Sequence, residues 1–272
     1  MSSLEIPKQN DSGIIGKKKS ESPPRVRSPK EDILISREKT RSEQIGRGVT
    51  NSSFVELKDD GKGVFKTAFY ENERSAYLID RFLGINLTPP TAVRMLDGEI
   101  GSMQEFIPDA KSWSEFQEEA YAIGDYGPLP KSLSKKRRSD LMKMWVFDLI
   151  IGNFDRHSGN FLIQGDTLYA IDHGHSIKHN GSFFLEKMYL YNGYHQFFDE
   201  ELPQELVEGI KNFLGRPEEQ QILEDLLSEL IGEEYASACL KCIQIIGGML
   251  VQDGKITKPH SFDTFKDTIR IT

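Results

Sequence analysis

The chain has 272 residues, 38% hydrophobic and 28% charged, with a formal net charge of −8 at pH 7, enough length and apolar content for one large domain or two lobes with their own cores. The charge is uneven, since residues 1–41 hold ten Lys and Arg against six Asp and Glu, which leaves 24 against 36 in the remainder. An acidic body excludes a general nucleic-acid binder, whose phosphate contacts need a basic face.

Residues 1–40, with KKKSESPPRVRSPK, are rich in Ser, Pro and Lys and poor in large apolar residues. Such a stretch cannot bury enough surface to offset the entropy of ordering, so it reads as a disordered basic arm suited to an acidic partner or a membrane surface. The N-terminal stretch contains no apolar h-region and no run approaches the ~18 apolar residues of a spanning helix. The expectation is a soluble, cytoplasmic chain in a reducing compartment with no transmembrane segment; delivery into a host cell would leave no mark by these criteria.

From Glu43 the pattern changes. Two β-rich runs, 53–57 and 63–68, flank the turn DDGKG and predict a hairpin. Just before it, Gly46, Gly48, Thr50, Asn51 and Ser52 form a small-residue segment whose backbone N–H groups could wrap a phosphate. YENERSAYLIDRFLG then places Ala76, Leu78, Ile79, Phe82 and Leu83 on one face, with Gly84 as a stop, so a helix follows. Two more strands, 91–95 and 100–106, are joined by LDGE. The result is a small sheet with one helix over 41–108.

The second half, 109–272, reads as mostly helical. Leu141, Trp145 and Leu149 recur at four-residue spacing within 134–151, as in a core helix. Further helices are expected near 203–214, 217–231 and 233–251. Cys239 and Cys242 form a CLKC motif without the additional ligands a zinc site needs, so they are read as buried helix packing. The run from Lys135 to Arg138 is read as a solvated helix face.

The chemistry lies in GNFDRHSGNFLIQGDTLYAIDHG, residues 152–174. Asn160 to Ile163 and Thr167 to Ile171 flank a Gln-Gly-Asp turn, which predicts a hairpin with Asn160 and Asp172 at its open ends. An amide oxygen beside a carboxylate is a hard-oxygen pair suited to Mg²⁺ completed by substrate phosphates and water. Asp155, on the loop just before, is placed to orient a hydroxyl or accept its proton, and Lys66 is the candidate cation for the phosphates, held by Glu73 or by Asp80. Singly, each residue has a plain alternative: a turn cap, a strand-initiating residue, a surface acid, an exposed strand lysine. His157, His173 and His175 do not make a transition-metal site and read as bracing or solvent-facing groups.

In this order, the glycine-rich hairpin, VFK, NER, SMQEFI, DRHSGN and AIDHG resemble the atypical kinase superfamily of phosphoinositide 3-/4-kinase-like, actin-fragmin-kinase-like and HipA-like kinases. The likeness covers roughly residues 43–250 and implies an α+β, bilobal protein-kinase-like fold, with a small antiparallel-sheet N-lobe bearing one helix and a mostly helical C-lobe. It further implies an ATP- and Mg²⁺-dependent kinase. Asp155 becomes the catalytic-loop acid, Asn160 and Asp172 the metal ligands, Lys66 the phosphate-contacting lysine and Glu73 its partner. The backbone of Gln104, Glu105, Phe106 and Ile107 becomes the adenine-binding hinge, with Arg156 and His157 bracing the loop.

After Gly174 the resemblance lacks a peptide-docking segment, and Lys178, His179 and Lys187 are thin support for an inositol phosphate headgroup. The reading is therefore transfer to Ser or Thr hydroxyls of a protein, with a phosphoinositide as the alternative acceptor. A nucleotide-binding pseudokinase and an AMP transferase are further alternatives.

Overall fold

The computed structural model describes residues 28–45, 52–126, 129–131, 133–177 and 194–256. Gly46, Gly48, Thr50 and Asn51 of the small-residue segment lie outside the described residues, as do Lys178, His179 and Lys187. Part of the stretch expected to be a disordered arm over 1–40 is helical. Pro29–Ser36 form helix α1, started by a capping box in which the Ser28 hydroxyl and the Glu31 side chain each accept from the other's backbone N–H. Its single turn of apolar residues was too short to stand out from the basic composition around it.

Five antiparallel strands make the N-lobe sheet: β1 Lys39–Gln44, β2 Ser52–Leu57, β3 Gly61–Lys66, β4 Thr91–Leu96 and β5 Glu99–Glu105, in the order β1-β2-β3-β5-β4. Helix α2, Tyr70–Phe82, follows β3. Leu34 of α1 joins Val55, Leu57, Phe65, Ala92 and Met103 in a small core under this sheet. A glycine is required at 101, because a Cβ there would sit 2.5 Å from the Lys66 carbonyl and 2.6 Å from the Phe65 ring.

The C-lobe opens with β6, Lys111–Ser112, and α3, Trp113–Ala122, neither anticipated from sequence. Helix α4, Lys135–Ile151, is capped by Ser134 at one end and by Gly152 in the left-handed region at the other. Strands β7, Phe161–Gln164, and β8, Thr167–Ala170, form the predicted hairpin, with β6 pairing on the outer edge of β7. Three helices complete the lobe: α5 Gln204–Leu214, α6 Pro217–Ile231 and α7 Glu233–Asp253. Trp145, Phe147, Phe161 and Phe213 are fully buried in its core, so the small antiparallel sheet and the mostly helical half have separate apolar clusters, as expected of two lobes.

Three expectations are refined. Helix α7 is long and apolar enough to cross a membrane by length and composition, although Ser237, Lys241 and Gln244 interrupt any uniform apolar run; half of the stretch is buried in protein, where α7 packs on α4, α5 and α6. Cys239 and Cys242 are buried free thiols within it, and burial pushes Cys242 up to about 12. Far from a purely solvated face, the basic start of α4 is tied into the lobe: Lys136 pairs with Asp140, Arg137 covers the Phe116 ring and Arg138 pairs with Glu200.

The apolar face of α2 does not join the small core under the sheet. Ala76, Leu78, Ile79 and Leu83 are continuous with the C-lobe core, and Phe82 meets Phe213 of α5 edge-on with centroids 6.2 Å apart, within the roughly 4.5–7 Å typical of ring pairs.

Candidate active site

Strand β3 ends at Lys66, directly opposite Ser52 of β2 and Ser102 of β5. Its ammonium lies 2.8 Å from Glu73 Oε1 and 3.1 Å from Asp172 Oδ1, so one cation joins the sheet, helix α2 and the segment after β8. Burial alone would lower the lysine pKa; the Glu73 and Asp172 carboxylates outweigh it and hold Lys66 above its ordinary value. For Glu73, burial acts upward, but Lys66 and then His173 keep the carboxyl well below the usual range.

Glu73, not Asp80, is thus the partner of Lys66. Asp80 lies about two turns further along α2, where it accepts from the Leu87 N–H at 3.0 Å, and burial raises its pKa to about 7. The second oxygen of Glu73 accepts from the His173 N–H at 3.1 Å. His173 is buried and its imidazole is held below the ordinary pKa by desolvation, so of the bracing and solvent-facing roles expected of it the solvent-facing one is excluded.

The loop before β7 is braced from inside. Asp148, one turn from the end of α4, receives the Arg156 guanidinium through Nε and Nη2, both side chains 1% exposed. The remaining nitrogen, Nη1, donates to the carbonyls of Asn160 and Ile171, the two residues at the open ends of the hairpin. Asn153 Nδ2 donates to the same Asp148 at 3.0 Å and its Oδ1 accepts from the Asp155 N–H at 3.1 Å. Sequence reasoning missed Asp148; the signal was an acid on the buried face of an apolar helix eight residues before an arginine.

Asn160 donates through Nδ2 to the Asp155 carbonyl at 2.9 Å, which turns its oxygen outward as the acceptor end. Asp172 sits at φ 58, in the left-handed region that Asp tolerates better than most residues. His157 is exposed, and its Nδ1 accepts from the Gly159 N–H within the loop. Beyond Asp172, Asn72 of α2 donates to the Gly174 carbonyl at 2.8 Å, and a Cβ on Gly174 would press on the Phe69 ring at 3.3 Å.

These pieces surround one cavity of about 460 Å³ between the lobes. Lys66, Asp155, Asn160 and Asp172 line it, together with Ser52, and Gln104, Glu105, Phe106 and Ile107 form its back edge. Ile45 and Val64 from the N-lobe face Leu162 and Ile171 from the hairpin as apolar walls. Glu73 stands behind Lys66, outside the lining. Phe69 and His175, neither singled out as site residues by sequence, also line it, with rings 5.2 Å apart. At the back edge the N–H groups of Glu105 and Phe106 are taken by the Pro90 and Lys62 carbonyls. Among the described residues the Ile107 N–H has no such acceptor.

The family model for phosphatidylinositol 3- and 4-kinases matches residues 62–228, more than half of the chain and the whole span from Lys66 to Asp172. The chain belongs to this family. A comparison with curated proteins finds no match. Among solved structures this kinase is similar to a Golgi casein kinase with Mn/ADP bound, at 16% identity and TM-score 0.56, covering 84% of this chain and 79% of that one. It is also similar to the Helicobacter pylori proinflammatory kinase CtkA, at 13% identity and TM-score 0.56, covering 81% and 98%. Hydra Fam20 with sugar shows 16% identity and TM-score 0.57, covering 88% and 89%. At these identities the likeness is one of fold, and the protein is an atypical kinase by family and architecture.

Proposed function

We propose that this kinase uses ATP and magnesium to phosphorylate Ser or Thr hydroxyls of a protein. The observation that carries the reading is the placement of Lys66 against both Glu73 and Asp172 at the back of a cavity that Asp155 and Asn160 also line. Two oxygen donors, from Asn160 and Asp172, are too few for an all-protein metal cage and match Mg²⁺, which is usually completed by phosphates and water. Held there, the ion would supply charge neutralisation on the phosphates.

The chain's own groups do the rest. Lys66, kept charged by its two carboxylates, offsets charge on the phosphates, and Glu73 fixes its position. Ile45 and Val64 above and Leu162 and Ile171 below sandwich the adenine, whose edge meets the Ile107 N–H and neighbouring carbonyls. Asp155 aligns the acceptor hydroxyl and takes its proton as the new O–P bond forms and ADP departs. Gly46, Gly48, Thr50 and Asn51 are assigned to the phosphates with Ser52, by their place before β2.

A phosphoinositide acceptor is the second reading, favoured by the description of the matched family. Against it, Lys66 is the only Lys or Arg among the described residues that line the cavity, which offers a polyanionic headgroup little purchase. The test supplies Mg²⁺ and ATP labelled in the γ-phosphate or in the adenine to wild type and Asp172→Ala, with a protein mixture and phosphoinositide vesicles as acceptors. γ-Label in protein, lost in the variant, supports the proposal; γ-label only in lipid replaces it with the second reading. Adenine label in protein means AMP transfer, and ATP binding without any transfer means a pseudokinase.

A further inference from the structure

Lys66 and Glu73 stand on elements whose apolar residues fall in different clusters, although α2 also packs on β4 and β5. The sheet that carries Lys66 closes over the small core, whereas the apolar face of α2, which carries Glu73, is sunk in the C-lobe core. Helix α1 touches both. Leu34 is 3% exposed in the small core, and one turn earlier Glu31, fully buried, reaches α2.

Its carboxylate is saturated by three side chains of that helix and by the cap of α1. Oε1 accepts from Arg74 Nη1 at 2.6 Å; Oε2 accepts from Tyr77 Oη at 2.9 Å, Arg81 Nη1 at 3.0 Å and the Ser28 N–H at 2.7 Å. Arg74, Tyr77 and Arg81 recur at three and four residues, so they form one stripe of α2. Arg74 directly follows Glu73 in the chain, which puts the gripped stripe about 100° around the helix from the side chain that meets Lys66. Arg74 also donates to the Thr91 carbonyl at the start of β4, and Lys30 of α1 pairs with Glu105 of the hinge strand at 2.7 Å. Burial alone would raise the Glu31 pKa; the Arg74 guanidinium and the Ser28 contacts outweigh it and hold the group ionised.

We infer that Glu31 is a positioning residue for phosphotransfer, and that α1 is a strut setting the Lys66 strand against the Glu73 helix. The inference rests on the proposed role of the Lys66–Glu73 pair. Without the strut, α2 stays in the C-lobe core while the sheet shifts over it, and Lys66 spends less time against Glu73. Displacement of about 1 Å at such a pair costs ~10- to 100-fold in turnover.

The experiment compares wild type with Glu31→Gln, Glu31→Ala and Arg81→Gln, the last removing the most exposed arm of the grip, 25% exposed, together with its bond to Tyr77 Oη. Two quantities are read well below each variant's melting temperature: ADP release from Mg-ATP, resolved into kcat and KM, and the rate at which a small amine-acylating reagent modifies Lys66, followed by mass spectrometry. The expectation is a kcat lowered by ~10-fold or more with a smaller change in KM, and faster Lys66 modification in the order wild type, Arg81→Gln, Glu31→Gln. A lower melting temperature with wild-type kcat and wild-type Lys66 modification would reduce Glu31 to a purely structural role and overturn the inference. Lys66 modification decides the matter even if turnover needs an activator. Glu73→Gln run alongside separates the two readings: unchanged behaviour there defeats the Lys66–Glu73 proposal itself, whereas a defect there with none in the Glu31 variants defeats only the strut.

Discussion

Arg156→Ala tests how the catalytic loop is held. Removal of the guanidinium leaves Asp148, 1% exposed, as a buried carboxylate without its counter-charge, and breaking such a pair from one side costs ~3–5 kcal/mol. The Ile171 carbonyl also loses its donor at 2.8 Å, worth about 1–3 kcal/mol if no water replaces it. The combined loss, roughly 4–8 kcal/mol, is a large share of the ~5–15 kcal/mol that a typical domain has in total. Urea unfolding should show it as a markedly lower midpoint, and thermal unfolding as a fall of about 10–20 °C. Because the lost donor spans Asn160 and Ile171, the folded fraction should also transfer phosphate poorly at low temperature. The double variant Asp148→Leu/Arg156→Leu should recover part of the stability without the activity, since no charge is then stranded. An unfolding free energy for Arg156→Ala within about 1 kcal/mol of wild type would refute the reasoning.

Lys66→Met should abolish γ-phosphate transfer while the protein still folds at neutral pH with a lower melting temperature, because Glu73 keeps His173 as a neighbour but loses its cation; labelled-ATP transfer and calorimetry check this. Asp80 gives a pH signature. Its folded pKa of about 7 lies above the ordinary 3.8, so the folded state binds more protons than the unfolded chain between these values, and stability falls as pH rises through that window. Asp80→Asn should flatten the fall, as measured by urea titrations at pH 5 and pH 8. Gly101→Ala should cost ~1–3 kcal/mol and disturb nucleotide binding, since its Cβ would strike the Lys66 carbonyl and the Phe65 ring. Unchanged stability and ATP affinity would show that β5 can retreat from β3.

What could be read from the sequence was what short spacing determines. Asp155, Asn160 and Asp172 converge through one loop and a four-residue-strand hairpin with a two-residue turn, and Lys66 meets Glu73 across a single turn into α2. Chain geometry over a few residues fixes such neighbours. The helices α4 to α7 were legible for the same reason, since apolar periodicity and caps act within a turn or two.

Tertiary structure decided the fate of polar groups whose partners come from far along the chain. Glu31 looks like one more charge in a basic, proline-containing stretch, and only Arg74, Tyr77 and Arg81, 43 to 50 residues away, make its burial affordable. Glu73 and Asp80 are seven residues apart on one helix, and the choice between them depended on where β3 and the segment after β8 arrive. His173 is buried because α2 supplies Glu73 above it and Phe147 of α4 lies beside it at 5.5 Å. A buried polar residue is stable only when its counterpart is delivered by folding, and no local pattern in the sequence records that delivery.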